Sequence, residues 1–277
     1  MTTTLKLWFS TIKTTLTSVG TLVVFALLYA LLLVSAYFFI ATREATVWQV
    51  LVTYVLLILL PAEFFIFQAS ILSRALDGKF HWRAIIVNAF KCFVVTIPVV
   101  LLAWGIYLLL NKWQLRYPPP VLALSGPPKS QPMHWPTLIF GTLRFVIFGV
   151  ALPLAAIHLW IEVAACNLRE SLRSGGKAIL SRMGKRFSLA YASESVLIYA
   201  LGLIFFALVP YLLLFVPVTV KGNKTDFTIF IVRLVLSFVF TLIGWVVTLS
   251  TLAKLTIETS PVVESKAIPD TPAEAAA

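Results

Sequence analysis

Six long apolar stretches fix the solvent in which the rest of this chain must be read. They run Gly20–Ile40, Val47–Leu72, Ala84–Leu110, Thr137–Cys166, Ala190–Val218 and Phe227–Lys254. Each reaches or exceeds the ~20 residues a helix needs to cross a hydrocarbon core about 30 Å thick. The expected fold class is therefore all-α: a polytopic membrane protein with six transmembrane helices. An N-terminal segment, 1–19, precedes the membrane domain, 20–257. A tail, 258–277, follows it and is rich in Ala, Pro, Ser and Glu, a composition expected to be disordered.

Composition excludes a water-soluble globule. Of the 277 residues, 60% are hydrophobic and only 12% are charged, about half the charged fraction of a soluble domain. The six spans leave no room for a soluble catalytic domain. The net charge of +11 does not point to nucleic acid. Its basic residues sit at helix ends and in loops, where they face headgroups, and form no continuous surface interleaved with aromatics. Anionic lipid is the partner this placement suggests.

Lys and Arg also set an expected orientation. Lys6, Lys13, Arg74, Lys79, Arg83, Arg169, Arg173, Lys177, Arg182, Lys185, Arg186, Lys254 and Lys266 fall on one side, thirteen in all. The other side has six: Arg43, Lys112, Arg116, Lys129, Lys221 and Lys224. The positive-inside rule then places both termini in the cytoplasm, as in a bacterial inner membrane. Trp48, Trp113 and Trp135 fall at the expected outer boundaries, and Trp82 at an inner one. The first span is longer than a signal-peptide core and is read as uncleaved. Before it, Leu5, Trp8, Phe9, Ile12 and Leu16 recur at helical spacing. This pattern suits an amphipathic helix on the inner surface, or equally an extension of the first span. The loop from Asn111 to Pro136 is too rich in proline for a helix.

Two segments resemble each other. Glu63 precedes Arg74 by eleven residues and Gly78-Lys79 follows; Glu162 precedes Arg173 by eleven residues and Gly176-Lys177 follows. Eleven residues are close to three helical turns, so each Glu shares a face with its Arg. This suggests a parallel repeat of helix hairpins two–three and four–five. The order of span, basic Gly-containing connector and long span occurs at Ser70–Leu110 and Asn167–Leu214. It resembles a broad group of bacterial six-helix membrane proteins. That group includes the membrane domain found beside glycerophosphodiester phosphodiesterases and Yip-like domains. The resemblance implies a six-helix fold and offers no catalytic residues to carry over.

Charges inside the spans are the candidate site, because each needs a partner, water or an escape route. Glu63 lies ~13 Å from the inner end of span two and Lys91 ~10 Å from that of span three. Adjacent helices would allow them to pair. Asn88, Lys91, Cys92 and Thr96 give span three a polar face. His158 and Glu162 share one face of span four, and Glu194 stands near the inner end of span five. Glu63, Lys91, His158, Glu162 and Glu194 thus define a candidate polar cluster in the inner half. One reading is a proton or cation path or a headgroup site, with His158 as a relay, since imidazole titrates near neutrality. The other is a set of interhelical bonds and snorkelling side chains.

Arg144 and Arg233, ~10 Å and ~9 Å below the outer span ends, are candidate contacts for a lipid phosphate or other anion. They would otherwise snorkel outward. Arg169, Arg173 and Lys177, in the basic connector, are further candidates at the inner leaflet. The series His158-xxx-Glu162-xxx-Cys166 offers metal-ligating atoms on one face, with no matching ligands elsewhere, so no metal is expected. No other cofactor is implied either. Cys92 and Cys166 both fall in spans and read as packing residues.

Hydrolase elbows, zinc-protease pairs and Walker loops are absent, so the chain is not expected to be an enzyme. Two function classes remain. One is a lipid-associated or partner-binding scaffold, which would include homo-oligomers. The other is a permease component moving a small solute, ion or lipid, which Pro61, Pro98, Pro153 and Pro210 inside the spans would suit.

Overall fold

A computed structural model describes residues 2–43, 46–118, 134–166, 184, 188–217 and 223–258. Among them the chain is all-α, and six helical segments are long and apolar enough to cross a membrane. The elements are α1 (Thr2–Thr17), α2 (Val19–Ala41), α3 (Val47–Asp77), α4 (Trp82–Gln114), α5 (Trp135–Arg144) and α6 (Leu152–Ala165). They continue with α7 (Ser193–Leu203), α8 (Val209–Phe215) and α9 (Asn223–Glu258). Spans one, two, three and six are α2, α3, α4 and α9. Span four is α5 joined to α6 through a π turn, Phe145–Ala151. Span five joins α7 to α8 through a second, Ile204–Leu208.

Local chemistry sets several boundaries. Thr46 and Gln49 form a reciprocal capping box that starts α3: Gln49 Oε1 accepts the Thr46 amide at 3.0 Å, and Thr46 Oγ1 accepts the Gln49 amide at 3.4 Å. Gly78, at φ 70°, closes the same helix in the left-handed conformation that glycine adopts without a Cβ clash. The helix therefore runs one turn past the expected end at Leu72.

Each π turn ends just before a proline, Pro153 or Pro210. A proline has no N–H for the carbonyl four residues back. At Pro153 that oxygen belongs to Gly149 and accepts the Tyr199 hydroxyl at 3.0 Å. At Pro210 it belongs to Phe206 and lies 3.4 Å from Thr241 Oγ1, whose single proton it shares with the Ser237 carbonyl at 2.9 Å. In hydrocarbon, where no water substitutes, a neighbour's hydroxyl is the means of satisfying such an oxygen.

Burial is concentrated toward one end of the bundle, where α2 begins and α3 turns into α4; we call it the proximal end. Phe67 to Ser73 of α3, Leu154 to Glu162 of α6, and Val246 to Ala253 of α9 supply most of it. Ile85, Ala89 and Cys92 of α4 and Ile198 and Tyr199 of α7 complete it. The distal halves expose Leu57, Ile58, Leu101, Trp104, Phe227 and Phe230, as expected of surfaces solvated by lipid. Small residues allow the closest approaches: a Cβ on Gly244 would lie 2.8 Å from the Phe206 nitrogen and 2.9 Å from Phe205 Cβ. One on Gly202 would collide with the Thr248 side chain. This is how membrane helices gain packing where there is no hydrophobic drive between them.

The N-terminal segment is a separate helix, α1, set against α9, α2 and α7. Its buried edge is Thr4, Trp8, Thr11 and Thr15, with the Trp8 ring 6.3 Å from that of Phe205. Phe9 and Leu16, on the expected apolar face, are exposed, and Lys6 and Lys13 lie opposite the buried edge. Phe205 is about 18 Å along span five from Ser193. The helix thus packs along the side of the bundle. Three of its exposed hydroxyls bond to its own backbone, Ser10 to Leu7, Thr14 to Ser10 and Thr17 to Lys13, whereas the buried Thr11 hydroxyl has no hydrogen-bond partner among the described residues. The tail after Glu258 lies outside the described residues.

Candidate functional site

The five residues of the expected inner cluster divide among three places. Glu63 is buried, and its Oε1 accepts the Ser35 hydroxyl at 3.0 Å, joining α3 to α2. Its second oxygen is also buried and has no hydrogen-bond partner among the described residues. Lys91 does not pair with Glu63. Its ammonium donates to Asn88 Oδ1 at 3.0 Å, to the Cys166 carbonyl at 3.2 Å and to the Val163 carbonyl at 3.4 Å. The last carbonyls of a helix lack intrahelical donors and carry the negative end of its dipole, so a cation is favourable there. Lys91 caps α6.

The rest of the polar face of α4 serves the same neighbour. Thr96 Oγ1 accepts the Trp160 indole N–H at 2.7 Å and donates to the Cys92 carbonyl at 2.7 Å. Trp160 is held further by Phe64 and Phe65, edge to face, each with its centroid 6.0 Å away. One turn along α3 from Phe64, Gln68 Oε1 accepts the Trp245 indole N–H at 2.7 Å, tying α3 to α9.

His158 and Glu194 are brought together. They line a small cavity of about 30 Å³ with Ser195 and Thr256, large enough to admit water. Glu194 occupies the first turn of α7, where a carboxylate complements the helix dipole. Glu162, one turn from His158, accepts the Cys166 thiol at 3.4 Å. Among the described residues no three His, Cys, Asp or Glu side chains converge as a metal site, and His158, Glu162 and Cys166 do not.

Both distal arginines turn toward protein. Arg144 donates to Asn111 Oδ1 at 2.6 Å, joining α5 to α4. Arg233 donates to the carbonyls of Leu213 and Val216 and so caps α8, much as Lys91 caps α6. Arg169, Arg173 and Lys177 lie outside the described residues, and with them the second connector of the expected repeat. The two hairpins differ where they can be compared: α3 is a continuous helix to Asp77, whereas span four is broken by a π turn.

Sequence reasoning missed most of the partners. Ser35, Gln68, Trp160, Trp245, Tyr199 and Thr241 complete the bonds above, and the clue to the last two was each proline's position four residues beyond a carbonyl. It also missed an open cavity of about 710 Å³ at the proximal end, between the α3–α4 turn and the end of α6. Asp77, His81, Arg83, Asn88, Lys91 and Cys166 supply its polar lining. No family model, curated protein or solved structure matches this chain.

Proposed function

We propose that this integral membrane protein is a non-catalytic scaffold, associated with anionic lipid at the face that carries its basic connectors. In this reading both termini and the proximal end face the cytoplasm, where anionic headgroups attract Lys and Arg. The observation that carries it is the bonding of polar side chains across separate helix pairs. Ser35–Glu63, Lys91 with the α6 end, Thr96–Trp160, Gln68–Trp245, Asn111–Arg144 and Arg233 with the α8 end each tie two helices. A permeation path needs polar groups that face a shared passage and are free to exchange partners. Here the bonds named above run between helices and do not face one shared passage. The open proximal cavity, with Arg83, His81 and Lys91 in its lining, supports a headgroup partner.

The competing permease reading draws on the two proline-broken spans, a feature of helices that line sites. Mass spectrometry of the gently purified protein and flux in proteoliposomes decide between them. The scaffold reading expects retained anionic lipid or a stable protein partner, and no flux. Solute or lipid flux lost in Glu63→Gln, with folding kept, would replace it with transport.

A further inference from the structure

On the opposite side of α4 from the Asn88 and Lys91 face, α3 and α4 enclose an apolar groove of about 430 Å³. Leu57, Ile58, Pro61 and Ala62 of α3 and Ile86 and Phe90 of α4 form its walls. Phe65 and Phe93 meet edge to face within it, centroids 5.6 Å apart. Most of this wall is exposed: Ile58 at 74%, Phe90 at 67% and Ile86 at 61%.

The groove has a charged end. Ile86, Phe90 and Phe93 continue a helical edge that starts at Arg83, with steps of three, four and three residues. Arg83 also lines the proximal polar cavity, so it stands between an apolar and a polar recess. Lys79 is exposed in the turn just before it, and Trp82 is half exposed and stacks on Phe80 at 6.2 Å. Indole at such a boundary marks the headgroup level. Asp77 is the single acid in this turn, against Arg74, Lys79 and Arg83. Arg83 is free of the capping duty that occupies Lys91, and a guanidinium binds phosphate with two parallel donors.

We propose that the α3–α4 seam is a binding site for an anionic phospholipid of the leaflet at the proximal end. One acyl chain lies in the groove against Ile86, Phe90 and Pro61, and the phosphate is held by Arg83 with Lys79 beside it. The proposal rests on the lipid-associated reading above and gives it an address. It is read out by lipid occupancy and not by flux, so either can fail without the other.

The test uses the full chain in phosphatidylcholine nanodiscs containing a phosphatidylglycerol analogue with a photoreactive group in its chain. Cross-links, located by peptide mass spectrometry, are expected to concentrate on 57–66 and 86–93. Arg83→Gln should lower the phosphatidylglycerol yield there roughly fivefold, the scale of one basic residue at an anionic surface. A matching phosphatidylcholine probe, whose ammonium offsets its phosphate, should fall less. Ala62→Trp, which fills the groove from an exposed position, should abolish both signals. Cross-links spread evenly over all exposed spans would reduce the site to bulk lipid and overturn the proposal. So would an Arg83→Gln variant with undiminished labelling. Efficient disulfide dimers of Ala62→Cys in the same discs would assign the groove to a second copy of the chain instead.

Discussion

The ammonium of Lys91 donates to the Cys166 carbonyl at 3.2 Å, across the end of α6 from the middle of the polar face of α4. A cation deep in a span is thereby held by a neighbouring helix's backbone and not by an acid. Arg233 repeats the arrangement at the end of α8. Both bonds exploit the same physics: an unfinished helix end within a poorly hydrated layer is an acceptor that a charged donor can satisfy.

Lys91→Met should therefore destabilise the fold by about 1 kcal/mol, the net worth of bonds to part-buried carbonyls that line an open cavity. Lys91→Arg should retain much of that stability, because a cation still reaches the carbonyls. Thermal unfolding of both variants in one detergent checks the order. Equal loss in the two would mean that fit, and not charge at the helix end, sets the position.

Tyr199 and Pro153 should be energetically coupled. In the parent protein Tyr199→Phe removes the donor to Gly149 and should cost ~0.6 to ~1.7 kcal/mol, the range for interhelical bonds in membranes. In a Pro153→Ala background, the restored amide can serve the Gly149 carbonyl and the hydroxyl becomes redundant. The four stabilities of that cycle should show the Tyr199→Phe cost shrinking toward zero. An unchanged cost would detach the hydroxyl from the proline.

Substituting glycine should have opposite signs at two positions. Gly244→Ala forces a Cβ into the backbone of the second π turn and should cost ~1–3 kcal/mol, as overpacking does. Gly105→Ala meets nothing within 4 Å and should be neutral or stabilising, since alanine is the better helix former. Melting temperatures measured side by side would expose any common response.

The six spans were legible because length and hydropathy alone decide whether a helix can cross hydrocarbon. Their partners were less so. The polar face of α4 at Asn88, Lys91, Cys92 and Thr96 was visible in the residue spacing, but its purpose depends on which helix lies opposite. Lys91 finds backbone carbonyls, which no search for matching side chains can reveal. Glu63 meets Ser35, a residue too common in apolar helices to signal an acceptor. α1 shows a related limit. Of its expected apolar face, Leu5, Trp8, Phe9, Ile12 and Leu16, only Trp8 is buried, and it packs together with Thr4, Thr11 and Thr15 while Phe9 and Leu16 remain exposed.

The central claim is that polar residues in the spans are separate ties between helix pairs and not members of one joined path. A double-mutant cycle on Glu63→Gln and Lys91→Met, read as unfolding free energy in a fixed lipid mixture, tests it most directly. The two losses should add to within about 0.5 kcal/mol, as for sites that share no partner. A coupling energy well above that, about 1 kcal/mol or more, would place the two charges in one network and contradict the account.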